Sequence, residues 1–96
     1  MVSSTEDVFL DARLTPTLSP NPVQYDKLTV EFPSEEVAPL TLEVYDSQGR
    51  LVRHQKELVG IGVQKLWIDV ASLSPGNYFL QIQQGKMRGV GKFLIL

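Results

Sequence analysis

Leu40, Leu42 and Val44 fall at every second position with Thr41, Glu43 and Tyr45 between them, the two-residue period of a strand with one buried face. Asp46-Ser47-Gln48-Gly49 then ends that strand. The Asp46 carboxylate can accept from the backbone two residues on, and Gly49 tolerates the positive φ of a chain turning back. An Asp-x-x-Gly spacing suits a type I turn closed by a glycine bulge, so residues 50–55 are predicted to return antiparallel. The same alternation recurs along the chain. Val8, Leu10, Ala12 and Leu14 predict a strand over residues 7–14, and Leu28, Val30 and Phe32 a second, ended by Pro33. Leu66, Ile68 and Val70 predict a fifth, Tyr78, Leu80 and Ile82 a sixth over residues 78–83, and residues 90–96 a richly apolar seventh.

The stretches between these runs read as connectors. Pro16, Pro20 and Pro22 remove ladder donors, so residues 15–22 are expected to form a stiff link. Residues 57–62, with Gly60 and Gly62, read as a loop, and Pro75-Gly76 stand in the order that a type II turn prefers. Seven short strands at about ten-residue spacing, with no helical period, predict an all-β fold, a seven-stranded antiparallel immunoglobulin-like β-sandwich. Residues 1–6 read as a linker and residues 7–96 as a single domain.

Composition narrows the function more than it defines it. A chain of 96 residues buries one core and leaves little for an elaborate cleft. A net charge of −2 and a pI near 5.2 give no electrostatic footprint for nucleic acid or an anionic membrane. There is no cysteine, hence neither a disulfide framework nor a thiolate metal site. No apolar run reaches the roughly 18 residues of a membrane helix, and Met1-Val-Ser-Ser-Thr-Glu-Asp lacks the basic and apolar regions of a signal peptide. The chain therefore reads as cytoplasmic or as a piece of something longer.

Candidate chemistry is sparse. His54 is the single histidine, and its place on a strand favours a structural role over a ligand or base; neither a metal nor a cofactor is expected. Ser47, His54 and Asp46 assemble a triad only on paper, since no Gly-x-Ser-x-Gly elbow is present and Asp46 is explained by the turn. Glu35-Glu36 beside Pro33 read as solvated charge, and the chain is read as a non-enzyme. Trp67, Phe79 and Phe9 would form a stacking platform if they shared an outer face, which is the alternative reading of an adhesive or carbohydrate-binding module. Lys86, Arg88 and Lys92 form a small basic cluster near the C-terminus, read first as a solvated hairpin and otherwise as an interaction patch.

Three stretches, Pro20-Asn21-Pro22, residues 26–32 and residues 44–52, are followed by Ser72-Leu73-Ser74-Pro75-Gly76-Asn77-Tyr78 and the closing Lys92-Phe93-Leu94-Ile95-Leu96. In this order they resemble the C-terminal sorting domains of the type IX secretion system of Bacteroidota, over residues 18–96. The resemblance implies a module that ends a larger cargo protein and directs it through the outer membrane, with removal and surface anchoring by a sortase in many members. It implies the translocon, the sortase and the preceding cargo domain as partners, and a path from periplasm to outer membrane, cell surface or medium. Pro20, Asn21, Pro22, Asp46, Gly49, Pro75 and Gly76 would then be the motif turns. Lys86, Arg88, Lys92, Phe93, Leu94, Ile95 and Leu96 would be the region that the translocon reads, through pairing at a strand edge. A bare edge on the closing strand would also template a weak homodimer.

Overall fold

The computed structural model describes residues 16–21, 23 and 26–96. The strand expected over residues 7–14, the linker of residues 1–6 and Pro22 lie outside them. Among the described residues are β1 (Thr17–Ser19), β2 (Lys27–Ser34), β3 (Ala38–Asp46), β4 (Leu51–Val59), β5 (Gly62–Asp69), β6 (Gly76–Gln84) and β7 (Met87–Ile95). They form two antiparallel sheets in the orders β1-β2-β5 and β4-β3-β6-β7, packed as an immunoglobulin-like sandwich. Alternation does what it predicts. Leu28, Val30 and Phe32 of β2 and Ile68 of β5 share a core with Leu40, Leu42 and Val44 of β3 and Leu80 and Ile82 of β6, all at most 2% exposed.

Three expectations are corrected. Residues 17–19 are not connector but β1, paired with β2 as Thr17↔Glu31, Leu18↔Val30 and Ser19↔Thr29. Its three residues are too few to show a period. The loop expected over residues 57–62 shrinks to Gly60 and Ile61, because β4 runs on to Val59 opposite Ala38 and β5 begins at Gly62 opposite Ser34. Pro33 does not end β2, which continues through Ser34. A proline is tolerated there because β1 stops at the level of Glu31, leaving β5 as the neighbouring strand.

All strands run between two ends of the sandwich. The C-terminal end holds Ile95, the β3–β4 turn and the β5–β6 connection; the far end holds residues 35–37, Gly60–Ile61 and the Gly85–Lys86 turn. Gly85 has φ +60° as the first of the two residues between β6 and β7, a position where a side chain would be strained.

Side chains close the two open sides of the sandwich. On one side, Arg53 Nε of β4 donates to the Asp69 carbonyl of β5 at 3.2 Å and Gln55 Nε2 to the Trp67 carbonyl at 3.3 Å. On the other, the chain leaves β1 through a cis Ser19–Pro20 bond and reaches β7, where Val23 forms a parallel bridge with Ile95. Gly91 of β7 makes room for β1, since a Cβ there would lie 2.9 Å from Leu18 Cδ1. At the far end, buried Gln84 donates through Nε2 to buried Ser34 Oγ at 3.1 Å and to the Glu36 carbonyl at 3.4 Å, and Ser34 Oγ donates to that carbonyl at 2.9 Å.

Leu42 is 1% exposed at the middle of β3, between β4 and β6. Leu42→Ala is expected to lower unfolding free energy by about 2–5 kcal/mol with the fold retained, as read by urea denaturation.

Candidate functional site

The motif turns and the end of β7 gather at the C-terminal end of the sandwich. Asp46 organises the first turn. Its Oδ1 accepts from the backbone N–H groups of Gln48 and Arg50, each at 2.9 Å, and its Oδ2 accepts from Arg50 Nε at 2.9 Å. Gly49 has φ +84° and donates to the Asp46 carbonyl at 2.9 Å. The pairing then skips a residue, from Val44↔Arg53 to Tyr45↔Leu51, which is the bulge that an Asp-x-x-Gly turn predicts. These donors, led by the Arg50 backbone N–H, hold the Asp46 carboxyl below its ordinary value. Nearby, Tyr45 donates to Glu43 Oε1 at 3.1 Å, and that carboxylate raises the phenol above its ordinary value.

The β5–β6 connection turns differently from expectation. Leu73 N–H donates to the Val70 carbonyl at 3.0 Å, whereas Gly76 has φ +151°, far from a type II turn, and already begins β6. Ala71 N–H bonds Asp69 Oδ1 at 2.9 Å and the Tyr78 hydroxyl donates to the Ser74 carbonyl. Arg53 bonds the Ser72 hydroxyl, tying this connection to β4. A groove of about 290 Å³ lies between the two turns, bordered by Asp46, Ser47, Arg50, Ser72, Ser74 and Asn77.

Asn21 and Val23 stand along the outer edge of β7. Asn21 Nδ2 donates to the Lys92 carbonyl and its Oδ1 accepts from the Leu94 N–H, both at 3.1 Å. Val23 N–H donates to the Leu94 carbonyl at 2.7 Å and the Leu96 N–H reaches the Val23 carbonyl at 3.4 Å. One amide side chain and one residue thus replace a neighbouring strand over residues 92–96. By strand alternation, Arg88 and Val90 turn their backbone groups to the same edge, and these have no backbone partner among the described residues.

The terminal residues divide by face. Phe93 and Ile95 are 2% and 9% exposed, and Phe93 stacks on Tyr78 with ring centroids 5.5 Å apart, so both belong to the core. Arg88, Lys92 and Leu96 are exposed and Leu94 is half-buried. The expected basic cluster is not compact. Lys86 sits in the far-end turn and Lys92 six residues along, which at the rise of a strand is roughly 20 Å. Lys92 Nζ lies 5.7 Å from the Phe79 ring. The aromatic platform does not form among the described residues either. Trp67, 62% exposed, is on β5 and Phe79, 37% exposed, on β6 of the other sheet, while Phe9 lies outside the described residues. His54 is exposed opposite Glu43, and the Asp46 carboxylate is taken by its own turn, so the Ser47-His54-Asp46 arrangement has no assembled geometry.

The role of Asn21 was missed in the sequence because its partners lie 71 and 73 residues away.

A family model described as secretion system C-terminal sorting domain matches residues 17–96. No curated protein matches. Among solved structures, an uncharacterized protein from Bacillus anthracis str. Ames is similar with a TM-score of 0.59 and 12% identity, over 94% of this chain and 90% of that chain. At that identity the likeness is one of fold.

Asn21→Ala removes both side-chain bonds to β7 and is expected to cost about 1–2 kcal/mol, with faster amide exchange at Leu94. The Asp46 carboxylate contributes stability that is complete above the ordinary carboxylate value of about 4 and is lost as pH falls through its lower folded value. The thermal midpoints of the parent and Asp46→Asn should therefore differ at pH 6 and converge toward pH 3; a constant gap would mean that the charge plays no part.

Proposed function

Because this chain belongs to the secretion system C-terminal sorting domain family, matched over residues 17–96, we propose that it directs a larger cargo protein through the outer membrane by the type IX secretion system. The cargo would precede this module in the chain, pass through the periplasm with it, and reach the cell surface or medium. A sortase would remove the module and anchor the cargo. The module itself carries no chemistry in this reading; it is a folded address.

The observation that carries the reading beyond family membership is the hold that Asn21, Val23 and the start of β6 have on the end of β7. Asn21 and Val23 hold residues 92–96 from one side, and β6 holds them from the other. A strand fixed on both sides presents its outward side chains from a backbone that is already ordered, so docking costs side-chain freedom but little backbone freedom. Lys92, Leu94 and Leu96 are then what the translocon contacts, with Arg88 and the backbone edge at Arg88 and Val90, unpaired among the described residues, continuing the surface. An extended partner segment pairs with such an edge through main-chain bonds. Phe93 and Ile95 support the strand from the core, and Lys86, at the far end, is a separate point on the same hairpin.

Deleting Phe93 to Leu96 would remove two core side chains and confound recognition with unfolding. The discriminating variant is Lys92→Ala, at an exposed position where stability should move by no more than about 0.5 kcal/mol. We expect the chain, fused behind a signal peptide and a fluorescent cargo in a Bacteroidota host, to deliver cargo to the surface or medium only in a strain with the type IX translocon. Lys92→Ala should lower that delivery several-fold at unchanged thermal midpoint. Delivery that is equal with and without the translocon would overturn the reading.

A further inference from the structure

Loop tips of a sandwich are ordinarily polar, and the far end of this one is not. Of the five most exposed large hydrophobic residues described, four are there: Leu58 at 73%, Ile61 at 71%, Val63 at 68% and Val37 at 64%. The pairings explain why they meet. Ser34↔Gly62 and Ala38↔Val59 bring together the two connections that cross between the sheets, so Val37 and Ile61 form a crest. Leu58 lies on the outer face of the β4-β3-β6-β7 sheet opposite Pro39, and Val63 on the outer face of the β1-β2-β5 sheet opposite Pro33, both prolines exposed. The apolar band straddles the end of the molecule.

Behind the crest the charges follow the same geometry. Lys56 stands two residues before Leu58 and Lys65 two residues after Val63, each exposed on the same outer face and roughly 7 Å back along its strand. Neither is in a salt bridge among the described residues, and Glu31 stands across from Lys65 in the β2–β5 register. Glu35 and Glu36 are exposed in the loop that carries Val37, on its flank toward β6 and β7: the Glu36 carbonyl is held by Ser34 and Gln84, and its carboxylate faces the Gly85 turn.

We infer that this crest is a shallow membrane-binding wedge, which seats its four apolar side chains in the interface of a zwitterionic bilayer with Lys56 and Lys65 at the depth of the lipid phosphates. Four side chains and two prolines expose a few hundred Å², short of the ~800 Å² per partner of a stable protein interface. A bilayer needs no matching concavity, and an apolar tip with a cationic collar suits its layered chemistry. Glu35 and Glu36 make an anionic surface the poorer fit. The inference is independent of the sorting role, whose surface on β7 shares no residue with the crest.

The test is sedimentation of the full 96-residue chain with phosphatidylcholine vesicles, at rising lipid and against vesicles containing phosphatidylglycerol. We expect saturable binding to phosphatidylcholine, no stronger with phosphatidylglycerol, and a loss of at least tenfold for Ile61→Asp and for Leu58→Ser with unchanged circular dichroism and thermal midpoint. Lys56→Gln with Lys65→Gln should lose a smaller factor. No sedimentation of the parent chain would overturn the inference, as would equal binding by Ile61→Asp. A concentration-dependent mass in ultracentrifugation that Ile61→Asp abolishes would overturn it in favour of a second copy.

Discussion

Two sheets that share one core have to be held together along sides where no strand pairs across, and here hydrogen bonds from isolated side chains to exposed backbone do that. Arg53 and Gln55 of β4 reach the carbonyls of Asp69 and Trp67 on β5. Asn21 offers β7 a donor and an acceptor as a strand residue would. Each such bond contributes about 1 kcal/mol, small beside the burial of Leu28, Phe32, Leu42 or Ile82. Its importance is geometric. Core residues on β2 and β5 meet those on β3 and β6 only while the sheets stay in one lateral position, and the side-chain bonds set that position.

What could be read from the chain without its structure follows from the range of each signal. Alternation is local, so β2, β3, β6 and β7 were legible within a few residues, as was the Asp46–Gly49 turn. β1 was not, because three residues between prolines have no period; its strand character comes from pairing with Thr29 to Glu31. The extension of β4 through Glu57 and Leu58 was hidden by an exposed apolar residue where the pattern called for a polar one. The turn residues of the site could be named, but the hold of Asn21 on β7 depends on contacts across more than seventy residues. Sequence neighbourhood also misled: Lys86, Arg88 and Lys92 are close in number and spread out along an extended strand, and Trp67 and Phe79 belong to different sheets.

The last strand serves two masters. Its inward residues Phe93 and Ile95 are core, and its outward residues Lys92, Leu94 and Leu96 form a surface. A recognition element built this way exists only when the domain is folded, since an unfolded terminus has no sidedness. A translocon that contacts the outward side chains would then sense, through them, whether the domain has folded.

The Gln84, Ser34 and Glu36 group sits where β6 ends and β2 gives way to β3. Sliding β6 by one residue against β3 would turn Leu80 and Ile82 to solvent and put Gln83 or Gly85 in place of Gln84. Gly85 has no side-chain amide to offer whereas Gln83 has one, so the slip that brings in Gly85 also loses the bonds from position 84 to Ser34 and the Glu36 carbonyl. An apolar residue at position 84 would tolerate the slip more readily. The polar contact therefore acts as a one-sided proofreader of strand alignment, adding to the exposure of Leu80 and Ile82 a lost hydrogen bond in the register that would bring Gly85 to its place.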